Sequence, residues 1–117
     1  MTTAELREPT FLVLAALADG SKHGYPLIQE AATLSGGRVE LNVGTLYAAL
    51  DRLGEQQLVQ SAGEEVVDGR LRRYYELTHA GASALEEAAR QLANARTATE
   101  RLRRRSAARI SLGAATA

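Results

Sequence analysis

The chain has 117 residues, 45% of them hydrophobic, with no cysteine and a formal net charge of zero. That length suits one core with an appended element, and the missing cysteine rules out disulfides, thiolate nucleophiles and cysteine zinc sites. The neutral total gives composition alone no warrant for a polyanionic partner, so any such case rests on how charge is distributed.

The distribution is uneven. Residues 1–93 carry eight basic and thirteen acidic side chains, a balance of −5, whereas residues 94–117 carry six arginines against Glu100 alone. Such a tail is either a solvated helix end or an interaction surface. The opening residues are polar and acidic, unlike a secretory leader, and the longest apolar run, 11–18, is far too short to span a bilayer. A cytoplasmic protein with no membrane partner is expected.

Helical character begins near Pro9 and runs to a stop at Asp19-Gly20. This first helix is apolar around nearly its whole circumference, so it should be buried on two sides. A partner subunit is the natural source of the second side. Pro26 suits the opening turn of a second helix reaching Leu34, with Tyr25, Ile28 and Ala32 on one face and Tyr25 in the core; Ser35-Gly36-Gly37 ends it. Asn42 is a good N-cap for a third helix over residues 43–56, where Leu46, Ala49, Leu50 and Leu53 repeat at helical spacing.

The period then changes. Residues 58–62 and 71–77 read as two strands, joined by an acidic, glycine-bearing flexible loop over 63–70. In the second strand Leu71, Arg73, Tyr75 and Leu77 share the face turned to the body, while Arg70, Arg72, Tyr74 and Glu76 share the other. Thr78 caps a last helix running to about Arg105, with Glu86 and Glu87 early and arginines late. Leu85, Leu92 and Thr99 at one heptad position, with Ala88, Ala95 and Leu102 at another, form an apolar seam that wants a partner helix. Glu86–Arg90 and Glu100–Arg104 are spaced to pair on its solvated side. The predicted organisation is mainly α: a winged helix-turn-helix of three helices plus a β-hairpin wing over 1–77, a long C-terminal dimerisation helix over 78–107, and a disordered tail over 108–117.

Three separately placed segments narrow this plan. His23-Gly24-Tyr25, Gly44-Thr45-Leu46-Tyr47 with Leu50 and Leu53, and Arg73-Tyr74-Tyr75-Glu76-Leu77-Thr78 with Gly81 closely resemble the pattern of PadR-family regulators. The resemblance spans roughly residues 9–92, and the single C-terminal helix is similar to the short subfamily. It implies a homodimeric repressor whose third helix enters the major groove of a palindromic double-stranded operator, whose wing touches the backbone, and whose interface cavity binds a small hydrophobic or phenolic effector. Two departures stand out. The wing tip is more acidic than a DNA-facing loop should be, and no tryptophan is present to stack on a flat ligand.

The DNA-binding candidates are Asn42, Gly44, Thr45, Tyr47, Ala48 and Arg52 on the third helix and Arg70, Arg72 and Arg73 on the wing. Most also have a structural reading: Asn42 as a cap, Thr45 bonding its own first turn, Tyr47 packing its ring, Arg52 pairing with Asp51, Arg70, Arg72 and Arg73 as solvated strand residues, and Arg73 turned towards the body. The candidates for an effector pocket and dimer interface are Phe11, Leu14, Ala15, Leu85, Ala88, Leu92, Ala95 and Leu102. No cofactor is expected, and His23 and His79, far apart and without cysteine, do not suit a metal site. There is no Ser-His-Asp set, phosphate-cradling glycine loop or paired inward carboxylates, so an enzyme is not expected. A different class stays open beside the regulator: a winged-helix interaction or dimerisation module without DNA binding, in keeping with the acidic balance.

Overall fold

The computed structural model describes residues 8–116, with side chains to residue 111. The elements run α1 (Glu8–Ala16), α2 (Gly24–Leu34), α3 (Val43–Glu55), β1 (Val59–Val67), β2 (Arg70–Leu77) and α4 (His79–Thr116). A three-helix unit with an antiparallel hairpin and a long following helix is the winged helix-turn-helix plan.

The core forms where apolar faces of α1, α2 and α3 meet. Val13, Leu14, Leu27, Leu46, Leu50 and Leu53 are its largest fully buried side chains. α1 is buried on two sides, as its composition requires, but both sides come largely from its own chain, since α2, α3 and α4 all pack against it. This corrects the expectation of a partner subunit there: the C-terminal helix folds back over α1 and leaves Pro9, Phe11 and Ala15 half-buried and Glu8 exposed.

α2 and α3 end alike. After α2, Gly36 and Gly37 adopt positive φ, with Gly37 N–H donating to Ala32 O at 2.7 Å and Gly36 N–H to Thr33 O at 3.1 Å. After α3 the same pair of bonds runs from Leu58 N–H to Leu53 O at 2.9 Å and from Gln57 N–H to Gly54 O at 2.9 Å, but the left-handed residue is Gln57, at φ 60°. The buried face of α2 is Leu27 and Ala31 rather than the predicted face, and Tyr25 is 67% exposed. Helix entry at Gly24 turns Tyr25 outward, which corrects its expected place in the core.

The wing is longer and more regular than expected. Both strands continue through the predicted loop, and only Asp68 and Gly69, at φ 52° and 75°, make the turn. Positive φ at both central residues matches the right-handed twist of the flanking strands. An irregularity between Ser61 and Gly63 shifts the register. Beyond it Glu64 faces Arg73, Glu65 faces Arg72 and Val66 faces Leu71.

Thr78 opens α4 as expected: its Oγ1 accepts from Gly81 N–H at 2.9 Å and donates to Gln57 O at 2.6 Å. The helix has 38 residues, about 57 Å at 1.5 Å per residue. It passes Arg105 and runs to Thr116, so residues 108–116 are helical rather than a disordered tail; Ala117 lies outside the described residues. Its first turn carries no acid and its last no base, so Glu86 and Glu87 stand too far in to offset the macrodipole. The side-chain pairs are Glu87–Arg90 and Arg96–Glu100, not the two expected. No helix among the described residues is long and apolar enough to cross a membrane.

Candidate nucleic-acid interface

α3 turns two different faces to its surroundings. Asn42 caps it, its Oδ1 accepting from Thr45 N–H at 2.7 Å, so the cap reading of this residue holds. Leu46, Ala49, Leu50 and Leu53 go inward. Thr45, Ala48 and Arg52, at i, i+3 and i+7, share the exposed face and line a recess with Pro9 and Thr10 at the start of α1. The Thr45 hydroxyl makes no bond to its own first turn, and Arg52 makes no ion pair with Asp51; adjacent helical residues point apart.

On its other flank α3 borders a cleft of about 450 Å³ between the start of α2 and the wing, lined by His23, Gly24, Tyr25, Tyr47 and residues 70–73. Gly24 makes room for Tyr47: a Cβ at residue 24 would come 3.0 Å from the tyrosine hydroxyl. Tyr47 is exposed, and its hydroxyl end lies against Gly24 in the cleft. His23 meets Tyr74 edge-on, ring centroids 5.4 Å apart. Lys22 joins β2 through two backbone bonds with Tyr75, of 3.1 and 3.0 Å, and its Nζ donates to Ala16 O at 2.6 Å and to Asp19. A single lysine thereby fastens the wing and closes the end of α1. Burial, followed by the neighbouring Tyr47, raises the pKa of Tyr75 and keeps this phenol neutral.

The wing arginines differ in what they already hold. Arg73 lines the cleft but is 60% exposed, and it pairs across the hairpin with Glu64, its Nε 3.5 Å from the carboxylate. Arg72 lies across from Glu65, which accepts from the Tyr74 hydroxyl at 2.5 Å; this bond holds the Tyr74 pKa above its ordinary value. Arg70, opposite Val67 at the tip, and Arg52 have no ion-pair partner among the described residues. Gly44 adds no side chain to the first turn of α3, leaving its backbone open to close approach.

The predicted pocket residues do not all converge. A groove of about 580 Å³ between α1, the end of α2 and α4 brings together Phe11, Leu34, Ala88 and Leu92, with Glu8 and Arg38 paired at its rim. Leu14 is fully buried in the core and cannot line a pocket or an interface. Ala88 is buried within its own chain, Leu85 packs on the core, and Ala15 lies outside the groove. Ala95 and Leu102 sit farther along α4, where Leu92, Leu102 and Ile110 are 58%, 62% and 74% exposed. Sequence reasoning missed Lys22, Leu34, Ile110 and the cleft positions of His23 and Tyr25. The His23-Gly24-Tyr25 motif was a signal for the cleft, and Ile110 continues the α4 stripe two turns past Leu102.

Residues 13–87 match the family model described as the transcriptional regulator PadR-like family. The chain is 44% identical over 80 residues, 68% of its length and 71% of the relative's, to the transcriptional regulator Rv3488 of Mycobacterium tuberculosis. A PadR family transcription regulator from Clostridium difficile has the same fold, with a TM-score of 0.69 at 22% identity, covering 82% of this chain and 98% of that one. A padr family transcriptional regulator from Eggerthella lenta gives 0.63 at 27% identity, covering 80% and 79%.

Proposed function

Since the chain belongs to the PadR-like family of transcriptional regulators and so acts on gene expression through DNA, we propose that it is a cytoplasmic homodimeric repressor that reads a two-fold symmetric operator and is released by a small hydrophobic, planar effector. The observation that carries this reading is the flanking of α3's exposed face. On one side lies the recess at α1, on the other the arginine-bearing wing cleft.

An α-helix fits the major groove, and the outer face of α3 offers Thr45 and Ala48 at its centre with Arg52 beyond. Small side chains read few base edges, so much of the specificity comes from DNA shape and groove width. Arg52, Arg70 and the Tyr47 hydroxyl contact phosphates. Arg72 joins them, and Arg73 does so by releasing Glu64. The Asn42 carbonyl is taken by the cap, leaving its amide N–H groups for the backbone.

Two copies pair through the exposed stripe of α4. Burying Leu92, Leu102 and Ile110 contributes on the order of 2 kcal/mol for each side chain, and the alanines between them permit close approach. The groove at Phe11, Leu34 and Leu92 lies beside this stripe, so an apolar ligand there shifts the spacing of the two α3 helices. Selection of binding sites from a random duplex pool, followed by gel retardation across a salt series, tests the reading. An inverted-repeat consensus is expected; no enrichment would overturn it. Compounds that raise the melting temperature should also release the selected DNA.

A further inference from the structure

The outer face of the distal half of α4 takes no part in the α3 recess, the wing cleft or the apolar stripe. Arg101, Arg104 and Arg105 are exposed there. At about 100° per residue they fall within roughly 100° of arc, on the side away from the Leu92–Ile110 stripe. Among the described residues none of the three makes an ion pair, whereas Arg90 and Arg96 do. Like charges three and four residues apart destabilise a helix, so the cluster does not serve helix stability. Pairing of two copies through the apolar stripe leaves it in water.

We propose that this face is a second DNA contact, independent of sequence, that holds duplex lying beyond the operator. The inference rests on the reading of the chain as a DNA binder and deepens it. Residues 1–93 carry −5, which weakens attraction to a polyanion, and the charge that reverses this balance is carried by residues 94–117. Guanidinium groups match phosphate oxygens in pairs, and a helical face spaces them along a strand. The arm extends from the body on a continuous helix, within an overall length of 73 Å, so it reaches phosphates that α3 and the wing do not.

The test compares full-length protein with the Arg101→Gln, Arg104→Gln and Arg105→Gln triple variant, which keeps helix-forming side chains. Arg90→Gln removes one charge that is already paired and serves as control. Fluorescence anisotropy is read on a random-sequence duplex, on the selected operator alone, and on the operator with long flanks. The triple variant should bind the random duplex at least ten-fold more weakly and lower the slope of log K against log salt by about 2 or more, near 0.9 for each phosphate no longer neutralised. The control should leave the slope unchanged.

Beside the loss on the random duplex, a loss on the flanked operator that is absent from the operator alone assigns the contact to neighbouring DNA; loss of light-scattering mass from two joined duplexes assigns it to a second segment. Either supports the proposal. Unchanged slopes with intact operator binding would overturn it while leaving the regulator reading in place. Loss of the dimer in the triple variant would overturn it in favour of pairing with a second copy. Tighter wild-type binding to anionic phospholipid vesicles than to DNA would overturn it in favour of a membrane. A wild-type protein that binds none of the duplexes would take both readings down.

Discussion

Gly81 lies directly beneath the Leu58 carbonyl, so close that a Cβ at residue 81 would come 2.9 Å from the carbonyl carbon and nearer still to its oxygen. The same oxygen accepts from Thr78 N–H at 3.1 Å, so the first turn of α4 is fixed to the end of α3. Replacing Gly81 with alanine should therefore push α4 off the body at a cost of roughly 1–3 kcal/mol or more, the scale of overpacking against backbone that cannot yield. Thermal unfolding checks this. An unchanged melting temperature would mean that the α3–α4 junction is not rigid.

Gln57 points the other way. It holds a left-handed conformation at the end of α3 that costs a side-chain-bearing residue about 1–2 kcal/mol, part of which glycine returns through its looser unfolded state. Gln57→Gly should stabilise the protein by about 0.5 kcal/mol, visible as a higher urea midpoint at constant slope. A lower midpoint would count against the assigned cap geometry.

Lys22 links α1, Asp19 and β2, and its hydrogen bond to Asp19 holds that carboxyl below its ordinary value of 3.8. A lowered folded pKa stabilises the fold above the unfolded value, and that stability disappears as pH falls through the folded one. Lys22→Met should lower stability at neutral pH by roughly 1.5–3 kcal/mol, mostly because the bond to Ala16 O is removed. The Asp19→Asn effect should be smaller and should vanish below the aspartate range. Melting curves from neutral to acid pH decide it; a difference for Asp19→Asn that grew in acid would contradict the pairing.

Much of this architecture was legible because particular residues have one local use. Asn42 before an apolar three-and-four repeat marks the start of α3, and the Ser35-Gly36-Gly37 run marks the end of α2. The full length of the wing was not. Its Asp68-Gly69 turn signal was present, but the ladder beyond the register shift is held by backbone bonds and by Glu64 and Glu65 facing Arg73 and Arg72, which no single-strand periodicity reveals. Tyr25 misleads because Ile28 and Ala32 share its spacing, although Leu27 and Ala31 own the buried face. The end of α4 is hidden because no tertiary packing pattern marks the distal segment. Alanine, arginine and leucine sustain a helix there by intrinsic preference alone. The α3 and wing positions follow from motif order, whereas the pocket residues mislead at Leu14, whose apolar character serves the core.

On the wing, Arg70 and Arg72 replaced together by alanine should weaken binding to all duplexes about equally and reduce the salt slope by about 1–2 for each protomer. Glu64→Gln should strengthen binding slightly by freeing Arg73. An unchanged slope for the double variant would remove the wing from the interface.

Hydroxyl-radical footprinting of the protein on its selected operator reads α3 placement and dimer symmetry at once. The expected pattern is two equally protected half-sites one helical turn apart, about 34 Å between centres. Protection should vanish from both together when Leu92 and Leu102 are replaced by aspartate, since both substitutions carry a charge into the pairing seam. A single protected half-site at saturating wild-type protein, or paired protection that survives the aspartate substitutions, would contradict the account.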